Sequence, residues 1–346
     1  MLSQTTIYKQ AILFHVTLVV MNNISKWISK ATPISFIDIG ASGGLDNEWK
    51  GMETYMNIIG FEPHVEEYNK LIMNKNNHTY FNIAVSDKKG EKELYIRQNQ
   101  GNTSFYDNND LIINKFPNTE RMKIIDKVLI KTDALDNVLK FDDYIKMDFL
   151  KIDVDGDELN VLKGAQSILI SGIFAVQVEA RFLEFYKNSP LFPEVHTFIT
   201  SKGFELFDLN RYFYKRRPYF GSLKGQIGMA DALYFMDIDK FSTNCKNNLS
   251  GDELIKKILK AIIISSFYGY FDYSANLLET NKNIFETKEY DSLMDDLRKS
   301  RSVSEKIPYF KGKGFIYRNL MRIANLFISS NKGAFHSDNM LGNRKL

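Results

Sequence analysis

Cysteine is nearly absent from the sequence, since Cys245 is the one cysteine among 346 residues. A chain with a single cysteine cannot form an intramolecular disulfide or a cysteine-rich zinc site. This usage is typical of reducing compartments, where disulfides are rare. We therefore expect a cytoplasmic protein.

An excess of charge of either sign is also absent, because 45 lysines and arginines stand against 42 acidic residues. No long basic block with interleaved aromatic residues occurs, so nucleic-acid binding has little support. The hydrophobic content of 44% and charged content of 25% are typical of a globular protein. The length allows one sizeable core with an accessory region, or two domains.

Long hydrophobic runs are lacking as well. Residues 11–21 are apolar for about ten positions, whereas roughly 20 are needed to span a bilayer. The run has neither a charge-rich start nor a convincing small-residue cleavage site, which argues against a signal peptide. We interpret it as a core or interface helix.

The chain from Ile34 onward alternates short β-like runs with helical stretches, the pattern of a parallel sheet covered by helices. About seven strands can be counted; the third covers residues 79–87, and the last two are close enough in sequence to pair antiparallel. After Lys240 only helical periodicity follows. The predicted units are a helical segment (1–30), an α/β domain (31–240) and a helical C-terminal extension (241–346).

The stretch "FIDIGASGGL" at residues 36–45 places an acid, Asp38, just before a glycine-rich turn. Such a turn after a strand lets backbone N–H groups approach a ligand closely. Glu62 ends the next strand 22 residues beyond Gly40, where a carboxylate can accept hydrogen bonds from both hydroxyls of a ribose. The turn does not match G-x-G-x-x-G. These residues predict a nucleoside ligand, and they do not separate a dinucleotide from S-adenosylmethionine.

Four segments, "FIDIGASGG", "GFEPHVEEYNKL", "NIAVSDKKGEKELYI" and "LKIDVDGDELNVLKGA", resemble in order and spacing those of the FkbM family of S-adenosylmethionine-dependent methyltransferases. The likeness runs from about Phe36 to about Phe235. It implies a seven-stranded, mostly parallel Rossmann-like sheet with helices on both faces and S-adenosylmethionine over the carboxyl ends of the first strands.

The resemblance also implies contacts of the cofactor with the glycine loop, with the end of the second strand and with the segment after the third. Ser42 and Asp155 stand where the family commonly has glycine and glutamate. The cofactor-binding residues implied are Asp38, Gly40, Ala41, Ser42, Gly43, Glu62, Pro63, Ala84, Val85, Ser86 and Ser104.

Methyl transfer to an alcohol requires that the acceptor lose its proton, which calls for a base or a metal. Asp153 is the first candidate base, because it ends the strand expected beside the methyl group, and Glu179 at the end of the next strand is the second. A purely structural role for Asp153, fixing the turn, is about as well supported.

A metal ion is not expected, although "DVDGDE" at residues 153–158 offers hard oxygen ligands. The segment fails the EF-hand pattern because glycine occupies the fourth and twelfth loop positions. Asp157 and Glu158 are better explained as the cap and first turn of the helix that follows.

Acceptor contacts are predicted in two loops. Asn102 belongs to "GNTSFY", which resembles a pocket-facing loop of the family, although a plain surface turn is equally plausible. The stretch "RYFYKRRPYF" (211–220) combines aromatic groups that stack on sugars with arginines that hold anions. Its candidates are Arg211, Tyr212 and Arg216.

The C-terminal region is basic and ends in an apolar helix. Such a helix packs on its own protein or on a second subunit of a homo-oligomer, or lies on an anionic membrane.

The function expected is O-methylation of a sugar hydroxyl of a bacterial surface glycan or related saccharide, with natural-product hydroxyls fitting nearly as well. The alternatives are a nicotinamide-dependent oxidoreductase, which would need a Tyr-x-x-x-Lys pair that we do not find, and a non-catalytic adaptor of glycan assembly.

Overall fold

The structure is a computed structural model that describes residues 26–31, 33–73, 78–218, 225–299, 310–326, 335–338 and 341. The helix predicted at residues 11–21, the end of the final apolar helix and the last two residues of the 211–220 stretch lie outside the described residues. Residues 26–31 are helical and contribute buried side chains to the core.

The strands have the following bounds: β1 Ile34–Ile39, β2 Met56–Phe61, β3 Thr79–Phe81, β4 Ala84–Val85, β5 Gly90–Arg97, β6 Ile124–Asp133, β7 Phe149–Ile152, β8 Ala175–Arg181, β9 Phe204–Tyr214, β10 Gln226–Met236 and β11 Phe335–Ser337. The α-helices are α1 Val65–Met73, α2 Asp110–Ile113, α3 Leu135–Val138, α4 Glu158–Gly164, α5 Gln166–Ser171, α6 Phe192–Ser201, α7 Ile238–Asn248, α8 Gly251–Phe267, α9 Phe271–Thr280, α10 Thr287–Lys299 and α11 Lys313–Leu326. Short 3₁₀-helices lie at Lys50–Tyr55, Gln100–Asn102, Thr119–Met122, Phe141–Lys146 and Lys282–Ile284.

The main sheet has the strand order β11-β9-β10-β8-β7-β1-β2-β3. β7 and β8 are buried along their whole length, because helices cover both faces of a parallel sheet. β10 pairs antiparallel with β8 and β9, while the pairs among β8, β7, β1, β2 and β3 are parallel. Seven of these eight strands, all except β11, form the predicted mostly parallel sheet, and the antiparallel pairing of β9 and β10, the last two predicted strands, is confirmed.

Two features of the strands differ from the expectation. The predicted third strand is divided, because β3 joins the main sheet whereas β4 pairs with β6 in a second sheet of order β4-β6-β5. The C-terminal region is not helical throughout, since β11 pairs antiparallel with β9 at the sheet edge. Neither feature has a local signal, because both depend on pairing between distant segments.

Helices α7 to α10, which follow β10, share one hydrophobic core with the sheet. Trp49 stacks on Phe267 of α8 with ring centroids 4.1 Å apart. In the same region, Lys257 of α8 donates to the buried carboxylate of Asp148 at 2.8 Å. The segment predicted as an extension therefore covers the sheet directly. None of the described helices is long and apolar enough to cross a membrane.

Candidate active site

The loop after β1 lies where the carboxyl ends of parallel strands meet. Asp38 in β1 lies opposite Gly60 of β2 and opposite Lys151 of β7. Gly40 follows with a φ of 89°, a conformation that side chains rarely adopt. A Cβ at Gly40 would lie 2.0 Å from the carbonyl oxygen of Asp153. The loops after β1 and β7 can therefore approach this closely only because the residue is glycine.

A cleft opens beside this loop, and we call it the glycine-loop cleft. The ends of β1, β2 and β7 form one side, and β4 with the insert around residues 100–105 forms the other. Its polar lining includes Ser42, Glu62, Gln100, Thr103, Asp153 and Asp155. The cleft therefore lies over the carboxyl ends of the strands, the place at which open α/β sheets bind ligands.

Glu62 is the buried carboxylate of the glycine-loop cleft, with 5% of its surface exposed. Its Oε1 accepts a hydrogen bond from the backbone N–H of His64 at 2.7 Å. Burial raises the pKa of Glu62 to about 7, against the opposing effect of that hydrogen bond. A carboxylate in this position is fixed in place and keeps acceptor capacity for the hydroxyls of a ribose.

The far wall of the glycine-loop cleft is apolar. Flat heteroaromatic rings bind in such surroundings, because removal of apolar surface from water is favourable. The side chains of this wall are Ile83, Ala84, Val85, Leu94, Ile96 and Phe105. The cleft thus combines a backbone loop, a buried carboxylate and an apolar wall, and these elements fit a nucleoside cofactor.

A second cleft, which we call the acidic cleft, adjoins the first at Asp153. Glu179 and Asp231 lie directly opposite each other on β8 and β10. The register of β7 with β8, continued one residue beyond Ile152 and Val178, brings Asp153 beside Glu179. Asp153, whose side chain is 45% exposed, lines both clefts. The carboxyl edge of the sheet therefore carries a row of three carboxyl groups.

The carboxyl groups of the acidic cleft have distinct surroundings. Asp231 accepts hydrogen bonds from the hydroxyl of Tyr212 at 2.5 Å and from the amide of Asn210 at 3.0 Å. Burial raises the pKa of Asp231 to about 7 and raises the pKa of Glu179 well above its usual range. These shifts favour the neutral carboxyl form, which can donate as well as accept a hydrogen bond.

Residues 38–206 match the profile of the methyltransferase FkbM domain. These residues belong to the FkbM methyltransferase family. The protein is therefore a methyltransferase, and its methyl donor is S-adenosylmethionine. The match does not support the oxidoreductase or the adaptor considered from the sequence. No curated protein matches the chain significantly.

Solved structures of methyltransferases resemble the chain only distantly. Magnesium protoporphyrin IX methyltransferase from Synechocystis PCC 6803, with bound S-adenosylmethionine, has a TM-score of 0.32 and 7% identity over 67% of this chain and 82% of its own. A Burkholderia thailandensis 1,6-didemethyltoxoflavin-N1-methyltransferase has a TM-score of 0.30 and 11% identity over 66% of this chain and 80% of its own. Likenesses this weak carry no weight for fold or function, which rest on the residues and the family match.

Several residues that the resemblance assigned to the cofactor line the glycine-loop cleft of the FkbM domain, and others lie behind it. Asp38 is buried and pairs with Lys151 at 3.4 Å. Ser86 donates to Asp157 at 2.6 Å, and Ser104 donates to the carbonyl oxygen of Asp155 at 2.5 Å. These three side chains support the cleft wall from behind. Those that line the cleft are Gly40, Ser42, Glu62, Pro63, Ala84 and Val85, whereas Ala41 and Gly43 complete the loop without lining it.

The predicted acceptor residues are dispersed. Tyr212 lines the acidic cleft, and Asn102 lines a third cleft described below. Arg211 pairs with Asp338 at 2.7 Å on the outer edge of the sheet, and Arg216 donates to Gln226 at 2.7 Å. Neither arginine lines these clefts, because both side chains are held at the surface.

Sequence reasoning missed two charged residues of the acidic cleft, Lys151 within the matched FkbM residues and Asp231 beyond them. Each is a charged residue inside an otherwise apolar strand, in "FLKI" and "MADALYF". A charge in a buried strand requires a partner or a ligand. A charged residue within an apolar run is therefore a signal in the sequence that could have identified both residues. Asp157 and Glu158 occupy the N-cap and the first turn of α4 as expected, but the Asp157 carboxylate accepts from Ser86 and Lys92 and makes no capping hydrogen bond to the helix amides. Among the described residues, no three His, Cys, Asp or Glu side chains are grouped to hold a metal ion.

Proposed function

We propose that this methyltransferase transfers the methyl group to a hydroxyl of a small polyhydroxylated acceptor, a saccharide, bound in the acidic cleft. The observation that carries the proposal is the position of Asp153 on the border of the two clefts. A group there faces the donor on one side and the acceptor on the other, the arrangement that in-line displacement requires.

The reaction assigned to Asp153 is proton removal. S-adenosylmethionine supplies a methyl group on a positively charged sulfur. As the O–CH₃ bond forms and the S–CH₃ bond breaks, the hydroxyl proton passes to the Asp153 carboxylate, and the neutral thioether leaves. Positioned bases of this kind contribute roughly 10²- to 10⁴-fold in rate. The ammonium group of Lys151, with Nζ 3.9 Å from Asp153 Oδ2, places positive charge beside this carboxylate.

A hydroxyl-rich acceptor is favoured by the chemistry of the acidic cleft. Carboxylates, a tyrosine hydroxyl and the amide of Asn210 are groups that bind hydroxyls through paired donors and acceptors. Asn210 Oδ1 is buried and has no hydrogen-bond partner among the described residues. A ligand hydroxyl would satisfy it, and an unsatisfied buried oxygen carries a free-energy cost.

We also propose that helix α11 contacts an anionic membrane. Ile316, Leu320 and Ile323 follow one another at helical spacing and are 48%, 60% and 53% exposed. Residues 310–326 contain four basic side chains and no acidic one. An apolar stripe beside basic residues is typical of helices that lie in the headgroup region of anionic lipid.

The experiment that tests the proposed reaction is a transfer assay with labelled S-adenosylmethionine and mono- and disaccharide acceptors. A labelled product that resists esterase but yields a methyl ether on hydrolysis supports O-methylation of a hydroxyl. Label found only on an amine or a carboxyl group would contradict it. Titration with S-adenosylhomocysteine on the same preparation establishes that the donor site is intact.

A further inference from the structure

A third cleft, which we call the apolar cleft, lies beyond Asp155 and opens between the sheet edge and the insert of residues 100–122. Its apolar wall is a hydrophobic cluster separate from the main core, built on Ile113, Phe116 and Phe185. The ring centroids of Phe116 and Phe185 are 5.7 Å apart, and Phe185 lies 5.1 Å from Tyr214. A ring or an alkyl chain is the kind of group that such a wall favours.

The apolar cleft is continuous with both clefts of the proposed reaction. It shares Gly101 and Asp155 with the glycine-loop cleft, and it shares Glu179 and Met229 with the acidic cleft. A ligand that occupies the acidic cleft can therefore extend past Glu179 into the apolar cleft. This continuity assigns the apolar cleft to the acceptor and not to an unrelated ligand.

Two hydrogen-bond donors of the apolar cleft have no partner among the described residues. Arg181 is 4% exposed; its Nη2 contacts Asp155 at 2.5 Å and Glu179 at 2.7 Å, yet its Nε donates to no described residue. Asn102 Nδ2 is likewise buried without an acceptor. Buried donors left unpaired are costly, so a ligand oxygen that pairs with them is favoured.

We propose that the acceptor is amphipathic, with an apolar substituent that binds in the apolar cleft and is joined to the hydroxyl-bearing part through an oxygen. That oxygen accepts hydrogen bonds from Arg181 and Asn102. The proposal rests on the proposed function, since it extends the same acceptor site. The substrate class is thus a glycoside or similar conjugate with an aryl or alkyl group, as opposed to a free sugar.

The test compares phenyl β-D-glucoside with methyl β-D-glucoside as probes of protein saturated with S-adenosylhomocysteine. Saturation-transfer NMR is expected to label the phenyl protons, and titration is expected to give about tenfold tighter binding of the phenyl probe, since burial of a ring is worth more than the 1.4 kcal/mol that tenfold requires. Thr119→Trp, which fills the cleft from its rim, is expected to abolish both signals. Thr197→Trp on the exposed face of α6 is the matched control and is expected to keep them.

The two proposals fail in different ways. If the protein binds S-adenosylhomocysteine but the phenyl protons receive no saturation, or if Thr119→Trp leaves the saturation unchanged, the apolar cleft is not an acceptor subsite. The proposed methyl transfer is then unaffected. If S-adenosylhomocysteine itself does not bind, the proposed function fails first and the acceptor subsite fails with it.

Discussion

Lys151 Nζ lies 3.4 Å from Asp38 Oδ1 across two neighbouring strands, and both side chains are buried beneath the glycine loop. Burial raises the pKa of Asp38, and Lys151 opposes that rise. The same ammonium group contacts Asp46 at 3.4 Å and Asp153 at 3.9 Å. Lys151 therefore links β1, the strand that precedes the glycine loop, to Asp153, the proposed base, through ionic contacts.

Replacing Lys151 by methionine is expected to destabilise the protein by about 3–5 kcal/mol, because it leaves Asp38 buried without its cation. Chemical denaturation measures the loss. The double variant Lys151→Met, Asp38→Asn removes both charges and is expected to recover most of the stability. Equal instability of the single and double variants would mean that the pair is not the source of the loss.

Replacing Asp153 by asparagine is expected to lower kcat by about 100-fold or more, since the amide cannot take the hydroxyl proton. Affinity for S-adenosylhomocysteine is expected to stay within a factor of about two to three, roughly 0.6 kcal/mol. The matched control is Asp46→Asn, because Asp46 also lines the acidic cleft and is 43% exposed, yet it does not line the glycine-loop cleft. Turnover near the wild-type rate in Asp153→Asn would refute the assignment of the base.

Glu62 predicts a pH dependence of cofactor binding. Its pKa of about 7 in the folded protein means that it is largely protonated below pH 7, and the neutral form is the weaker acceptor for ribose hydroxyls. Binding that favours the anion releases a proton, so affinity should rise with pH up to about 7, by at most about tenfold per pH unit, and then level off. Titration of S-adenosylhomocysteine from pH 5.5 to 8.5 measures this, and Glu62→Gln should flatten the profile. An unchanged slope in that variant would assign the proton to another group.

The parts of the fold that the sequence predicted are those with a strong local signal. The buried strands β7 and β8 read as apolar runs, and the glycine loop with Glu62 marked the cleft at the strand ends. Local patterns cannot predict pairing over long distances. Residues 79–87 read as one strand, but they divide between two sheets because β4 pairs with β6, nearly 50 residues later.

The same limit of local patterns explains why the predicted acceptor residues are dispersed over the structure. Residues 211–216 alternate between the two faces of β9 and the turn beyond it, so one stretch cannot bring every basic and aromatic side chain to a single site. Arg211 faces the edge strand and pairs with Asp338, 127 residues away. Asp231 and Lys151 reach the acidic cleft because parallel and antiparallel pairing align residues from β7, β8 and β10. That alignment is a property of the sheet and not of any one segment.

Helix α11 predicts binding to anionic vesicles. We expect its exposed apolar stripe to insert into the headgroup region. Lys313, Arg318 and Arg322 are attracted to the negative lipid charge, and each contributes about 1 kcal/mol to binding. Cosedimentation with vesicles of phosphatidylglycerol and phosphatidylcholine is therefore expected to exceed that with phosphatidylcholine alone and to fall as salt is added. Leu320→Glu should abolish it, whereas Ile170→Glu, at a side chain 53% exposed on α5, should not. If both variants sediment like the wild type, α11 does not face lipid, and if Leu320→Glu instead changes the oligomeric state, the stripe is a contact between subunits.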